Sequence, residues 1–273
     1  LEKPEVMMVK DFIPPIVSRL KNRLLPSKYG WSGSYTTWQE AQKQSSGYQQ
    51  VEIVQKVIEA ANEVKRGRAA YERDSVLFDS IQYSWPLLAG LMLTAAKSGG
   101  RLSVLDFGGS LGSTYFQNRK FLSSLPSVHW NIVEQEEFVS AGKNFEDQTL
   151  KFYPEISACV REQKPNVFLF SCVLQYLESP YNLISSVLDF QPDAIIIDNM
   201  PFTTGSQRLT VQRVPPTIYE ASYPCWILNK KDFINAFRPS FELVENFESP
   251  LSIPLDGKMV PYEGFIFRKS ETP

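Results

Sequence analysis

Histidine occurs once in the sequence, at His129, and cysteine three times, at Cys159, Cys172 and Cys225. One histidine and three scattered cysteines cannot be assembled into a zinc cluster, so no metal site is expected. Their odd number and wide spacing fit reduced thiols in a cytosol better than a disulfide framework. Long apolar runs are missing too: LLAGLMLTAA, at 87–96, falls well short of the ~20 residues that a membrane-spanning helix needs. Nor is there an excess of one charge, since 30 acids face 28 bases for a net charge of −2. No global basic field attracts a nucleic-acid backbone, and no nucleic-acid partner is expected. The expectation is a cytoplasmic protein, and its 273 residues, 43% of them hydrophobic, suffice for one sizeable core.

The N-terminal third reads differently from the rest. Residues 7–25 interleave bases with Met7, Met8, Phe12, Ile13, Ile16, Leu20 and Leu24 around Pro14 and Pro15, a pattern that packs on the domain or touches a membrane surface weakly. After a polar, aromatic stretch, Val51, Val54, Val57, Ile58, Ala61 and Val64 recur at helical spacing and predict a helix over 50–66. A further apolar helix is expected over about 75–97, interrupted at Pro86. Residues 1–70 are therefore read as an N-terminal helical or extended cap, and 71–273 as the main domain.

From residue 101 short apolar strands alternate with helical segments. Strands are expected near 102–106, 129–134, 150–153, 166–171 and 194–198, with helices near 112–124, 135–146, 155–163 and 179–189. This alternation predicts an α/β fold, a parallel sheet covered on both faces. FELVENF at 241–247 and EGFIFRK at 263–269 have no helix between them and form an expected antiparallel pair.

The first strand, VLDF, ends in GGSLGS, so a glycine loop stands at the carboxyl edge where such sheets bind ligands. A phosphate-binding loop would need GxxxxGK[ST], but Gly142-Lys143 and Gly257-Lys258 lack the upstream glycine. A dinucleotide fingerprint fails as well, because Phe107 occupies the place of its first glycine and no tyrosine has lysine four residues later. The remaining candidate is S-adenosylmethionine (SAM), with an amino-acid end, a sulfonium charge and two ribose hydroxyls but no phosphate. Asp106 suits its positive end, the glycines allow close backbone approach, and Glu134, closing the second strand, suits the ribose hydroxyls.

These residues resemble known motifs. VLDFGGSLGS is similar to the first motif of class I SAM-dependent methyltransferases, IVEQ to their second, and NVFLFSCVLQYLESPYNLI to the block after their fourth strand. Similarity extends over about residues 29–267 to a methyltransferase group of unassigned substrate that carries LDFGGSLGSxYF, VEQ, VLQYL and YPxWI blocks, often associated with surface-polysaccharide gene sets. The resemblance implies a Rossmann-like, seven-stranded methyltransferase sheet and SAM as cofactor. Carried over by position, it implies Asp106, Gly108, Gly109 and Gly112 at the methionine end, Glu134 at the ribose, and Ser171, Leu174 and Tyr176 beside the adenine and sulfonium.

For the acceptor, the expected region is the lid-like, aromatic-rich segment at about 199–228. Asp198, Tyr219, Glu220 and Tyr223 are the candidates to bind or deprotonate it, and Arg208, Arg213 and Trp226 to hold it, with the arginines suited to an anionic group. His129 precedes Glu134 by five residues on one strand, ~16 Å from the cofactor edge, and is rejected. The expected function is methyl transfer from SAM to an oxygen or nitrogen of a small-molecule or carbohydrate-like acceptor. Two alternatives stand beside it: a non-catalytic scaffold in an envelope-polysaccharide assembly, and a Mg²⁺-assisted O-methyltransferase using Asp198-Asn199, which would need a third carboxylate where Ser171-Cys172 stands.

Overall fold

The computed structural model describes residues 29–47, 50–73, 75–215, 218, 220–256 and 258–271. The basic segment 7–25 and Tyr219 lie outside the described residues. Along the chain the elements are β1 (Gly30–Tyr35), α1 (Trp38–Lys43), α2 (Gln50–Lys65), β2 (Tyr71–Arg73), β3 (Val76–Phe78), α3 (Trp85–Lys97), β4 (Arg101–Phe107), α4 (Ser113–Leu122), β5 (Ser127–Val133) and α5 (Glu136–Gly142). They continue with β6 (Leu150–Tyr153), α6 (Ile156–Gln163), β7 (Val167–Ser171), a 3₁₀ turn (Leu174–Tyr176), α7 (Pro180–Leu188), β8 (Ala194–Thr203), β9 (Arg208–Arg213), β10 (Ser222–Asn229), α8 (Lys230–Asn235), β11 (Phe241–Leu255) and β12 (Lys258–Lys269).

Seven strands form the body of a Rossmann-like sheet in the order β6, β5, β4, β7, β8, β12, β11. The first five are parallel, β12 runs antiparallel to β8, and β11 pairs antiparallel with β12. The fold class read from the sequence is the one observed. Alternation along each strand feeds two apolar layers: Val104, Ile132 and Ile196 pack under α2–α5, while Leu105, Val133, Ile195 and Ile197 pack under α6–α8. At ~1.5–3 kcal/mol for each such side chain taken out of water, these layers hold the sheet between its helices.

One local expectation fails, and the segment read as lid-like proves to be built of strands. The helix placed at 75–97 begins only at Trp85, with Pro86 in its first turn, where a missing amide costs nothing. Upstream, β2 and β3 pair as a small antiparallel hairpin. The segment read as a lid is largely sheet: β10 pairs antiparallel with β9, β9 with β1, and Leu228 and Asn229 of β10 continue in parallel with Phe202 and Thr203 of β8. Since β7 stops opposite Asp198, β10 takes its place beside the upper end of β8. The three strands thus roof the carboxyl edge of β7, and β1, from the stretch assigned to an N-terminal cap, belongs to that roof.

Candidate functional site

The chain builds β4, β5 and β6 outward in one direction and then returns to β7 and β8 on the other side of β4. Strand order reverses between β4 and β7, the position at which open sheets of this kind hold their ligands. The glycine loop follows β4. Gly108 and Gly112 have φ of +71° and +98°, and a Cβ on Gly108 would lie 2.6 Å from Val173 in the loop after β7. A Cβ on Gly109 would lie 2.6 Å from the Asp106 carboxyl, so the loop rests directly on that side chain.

Asp106 is 1% exposed. Its Oδ2 accepts from Trp130 Nε1 at 2.9 Å, while Oδ1 has no partner. Burial pushes the carboxyl up to about 7, against the pull of the Trp130 indole; Glu134 adds to the rise and the charge of Arg73 opposes it. Glu134 reaches back over the same loop and accepts from the Ser110 amide at 3.3 Å and from the Gln135 amide at 2.8 Å. Burial raises its pKa, and the two amides lower it.

On the β8 side, Asp198 is also 1% exposed. Ser84 Oγ donates to its Oδ1 at 3.2 Å, and Ser171 Oγ and Asn199 Nδ2 donate to its Oδ2 at 3.1 and 2.5 Å. Burial raises its pKa, and Arg73 and the two serines lower it. Asp106, Glu134, Ser171 and Asp198 are thus gathered at one edge of the sheet, and one cation, Arg73, acts on both aspartates.

Other expected residues are placed elsewhere. Leu174 is fully buried in the core below the α6–α8 layer. Tyr176 lies beneath the roof, its hydroxyl donating to Gln212 Oε1 at 2.8 Å and its ring edge-on to Tyr223 at 5.1 Å. Burial lifts its pKa well above the usual tyrosine range, so it holds its proton. Trp226 is on the other face of the roof, stacked on Trp38 of α1 at 6.5 Å and packed with Leu209 and Val211. Arg208 and Arg213 occupy opposite ends of β9, ~16 Å apart at the strand rise. Arg208 pairs with Asp256 and donates to the Gly33 carbonyl, and Arg213 donates to Ser32 Oγ. The two arginines therefore do not converge on one anion. Glu220 is exposed in the turn before β10, and His129 is exposed opposite Ser103, low on β5. Among the described residues no three His, Cys, Asp or Glu side chains come together in a way that could hold a metal ion, and no helix is long and apolar enough to cross a membrane.

Sequence reasoning missed Arg73, Ser84 and Trp130. Ser84 carries a legible signal, since Ser-Trp-Pro is a helix start. Trp130 is an interior strand residue of no special spacing, and Arg73 belongs to a hairpin whose three-residue strands have no signature.

No protein-family model matches the chain, and no curated relative matches it. Among solved structures it is similar to the N-terminal domain of EvdMO1 crystallised in the presence of SAH and D-fucose, at 13% identity and a TM-score of 0.48, over 82% of this chain and 98% of that one. A SAM-dependent methyltransferase from Clostridium acetobutylicum ATCC 824 is similar at 9% identity and a TM-score of 0.48, over 79% and 98% of the two chains. The [4+2]-cyclase SpnF is similar at 12% identity and a TM-score of 0.47, over 89% and 99%. Identities this low extend to no side-chain role.

Proposed function

We propose that the protein binds S-adenosylmethionine and transfers its methyl group to an oxygen or nitrogen of a small-molecule or carbohydrate-like acceptor. The observation that carries the reading is the pairing of Asp106 and Glu134 across a glycine loop at the point where strand order reverses. The residues fit the cofactor. Asp106 is a buried carboxyl with one oxygen unpaired, Gly108 and Gly109 bring the loop backbone so close to Val173 and Asp106 that a Cβ would collide with them, and Glu134 is an acceptor held by backbone amides for a diol to meet. When bound, the cofactor supplies an electrophilic methyl on a sulfonium.

What this chain must then do is align the acceptor and exclude water. The β1–β9–β10 roof excludes water above β7. Asp198 is our candidate to take a proton from a hydroxyl acceptor, because burial raises its pKa and so makes it a stronger base when ionised. In this reading Tyr223, on the roof face that meets Tyr176, contacts the acceptor; Glu220, exposed before β10, stays a candidate from the sequence alone. Tyr176 acts in this reading as a support for the roof.

Calorimetric titration with SAM, S-adenosylhomocysteine and NADH tests the first layer. Binding of the adenosyl compounds alone is expected, and a response to NADH only would sink the reading. Transfer of label from methyl-labelled SAM into candidate acceptors tests the second. The wild type should transfer, while Asp198→Asn should bind S-adenosylhomocysteine and fail to transfer.

A further inference from the structure

Strand β2 divides its side chains between two jobs. Tyr71 is 3% exposed and stacks on Phe78 at 4.8 Å, which holds the hairpin together. Glu72 is 4% exposed and accepts from the hydroxyl of Ser113, the first residue of the helix after the glycine loop, and from the Ser75 amide at 3.2 Å. That carboxylate fastens β2 to the start of α4. Arg73 follows immediately on the same short strand.

Arg73 is half-buried and, among the described residues, makes no hydrogen bond or ion pair. Its charge nevertheless lowers the pKa of both Asp106 and Asp198. A guanidinium has five donors and never loses its proton, so a part-buried one is normally matched by acceptors. Here two carboxyls stand within reach of its field and neither touches it. The glycine loop and the first turn after it, Asp106 to Phe116, contain no lysine or arginine. Asp106 favours the ammonium of an amino-acid end but repels its carboxylate, which needs a cation from another part of the chain. A planar guanidinium suits a carboxylate bidentately.

We propose that Arg73 binds the α-carboxylate at the methionine end of the cofactor, with the Glu72–Ser113 contact fixing β2 in register with the glycine loop. The inference rests on the cofactor reading above. It makes the hairpin a clamp: one residue grips the protein's own loop and the next grips the ligand held by that loop.

The test compares two probes by calorimetry, S-adenosylhomocysteine, which has the carboxylate, and 5′-methylthioadenosine, which lacks the amino-acid end. For Arg73→Gln the first should bind at least tenfold more weakly than to the wild type, and Arg73→Lys should recover part of the loss. Affinity for 5′-methylthioadenosine should stay within twofold in all three proteins, and their unliganded melting temperatures should agree. Unchanged affinity for S-adenosylhomocysteine in Arg73→Gln would overturn the inference and leave the cofactor reading standing. Equal losses for both probes would overturn it in favour of a collapsed hairpin. A wild type that binds neither probe would remove the cofactor reading itself.

Discussion

Replacing Asp106 with asparagine should make the protein more stable at high pH and worse at binding its cofactor. The substitution keeps the shape, and the side-chain carbonyl can still accept from Trp130 Nε1. It removes only the proton equilibrium. Burial pushes the Asp106 carboxyl up to about 7, from an ordinary carboxylate value of 3.8, so between those limits the folded protein holds a proton that the unfolded chain has released. The folded state binds more protons than the unfolded one, and stability from this group therefore falls as pH rises. At ~1.4 kcal/mol for each pH unit, the loss is about 4 kcal/mol by pH 8. Asparagine avoids that loss. Urea unfolding of both proteins at pH 5, 6, 7 and 8 measures the difference, in which the other carboxyls cancel to first order. Asp106→Asn should gain on the wild type by about 1.4 kcal/mol per unit between pH 5 and 7 and level off above, while its affinity for S-adenosylhomocysteine at pH 8 drops. A difference independent of pH, or a wild type that gains on the variant as pH rises, would refute the reasoning.

Gly109→Ala should cost about 1–3 kcal/mol, because its Cβ would lie 2.6 Å from a carboxyl that cannot retreat; in an Asp106→Ala background the cost should shrink, and a double-mutant cycle in urea measures the coupling. Glu134→Ala should weaken S-adenosylhomocysteine binding by about 1–3 kcal/mol through loss of charged-acceptor bonds, read by calorimetry. Tyr176→Phe strands Gln212 Oε1 under the roof and should cost about 1–3 kcal/mol of stability. The pH profile of methyl transfer should not move, since the hydroxyl keeps its proton. Trp38→Ala should destabilise the roof by about 1–2 kcal/mol, since Trp38 is half-buried and loses its stack on Trp226, with S-adenosylhomocysteine affinity unchanged.

Some of this was legible in the sequence and some was not, for reasons that differ by residue. The parallel body announced itself because each of its strands is a short apolar run next to its own covering helix. Asp106 and Glu134 could be paired in advance because each closes a strand, and strand ends fall on one edge. The roof could not be read, since β1 finds its partner in β9 far along the chain and nothing local marks the match. Trp226 illustrates the cost: its face depends on strand register, and a shift of one residue would turn it toward Tyr176 instead of Trp38. The helix expected at 75–97 drew in the apolar Val76–Phe78, which tertiary pairing uses as a strand. Arg73 had no visible partner because both aspartates it acts on lie in later elements.

The roof also sets a timetable. Gly30 pairs with Arg213, and at ~5–20 residues per second a ribosome needs roughly 10–35 s to make the chain between them. During that interval β4, β5, β6 and β7 can already assemble beneath a strand that waits alone. An emerging chain therefore acquires its glycine loop and Glu134 well before the cover over β7 can close. Until β9 arrives, β1 offers unpaired amides and carbonyls to any neighbouring strand.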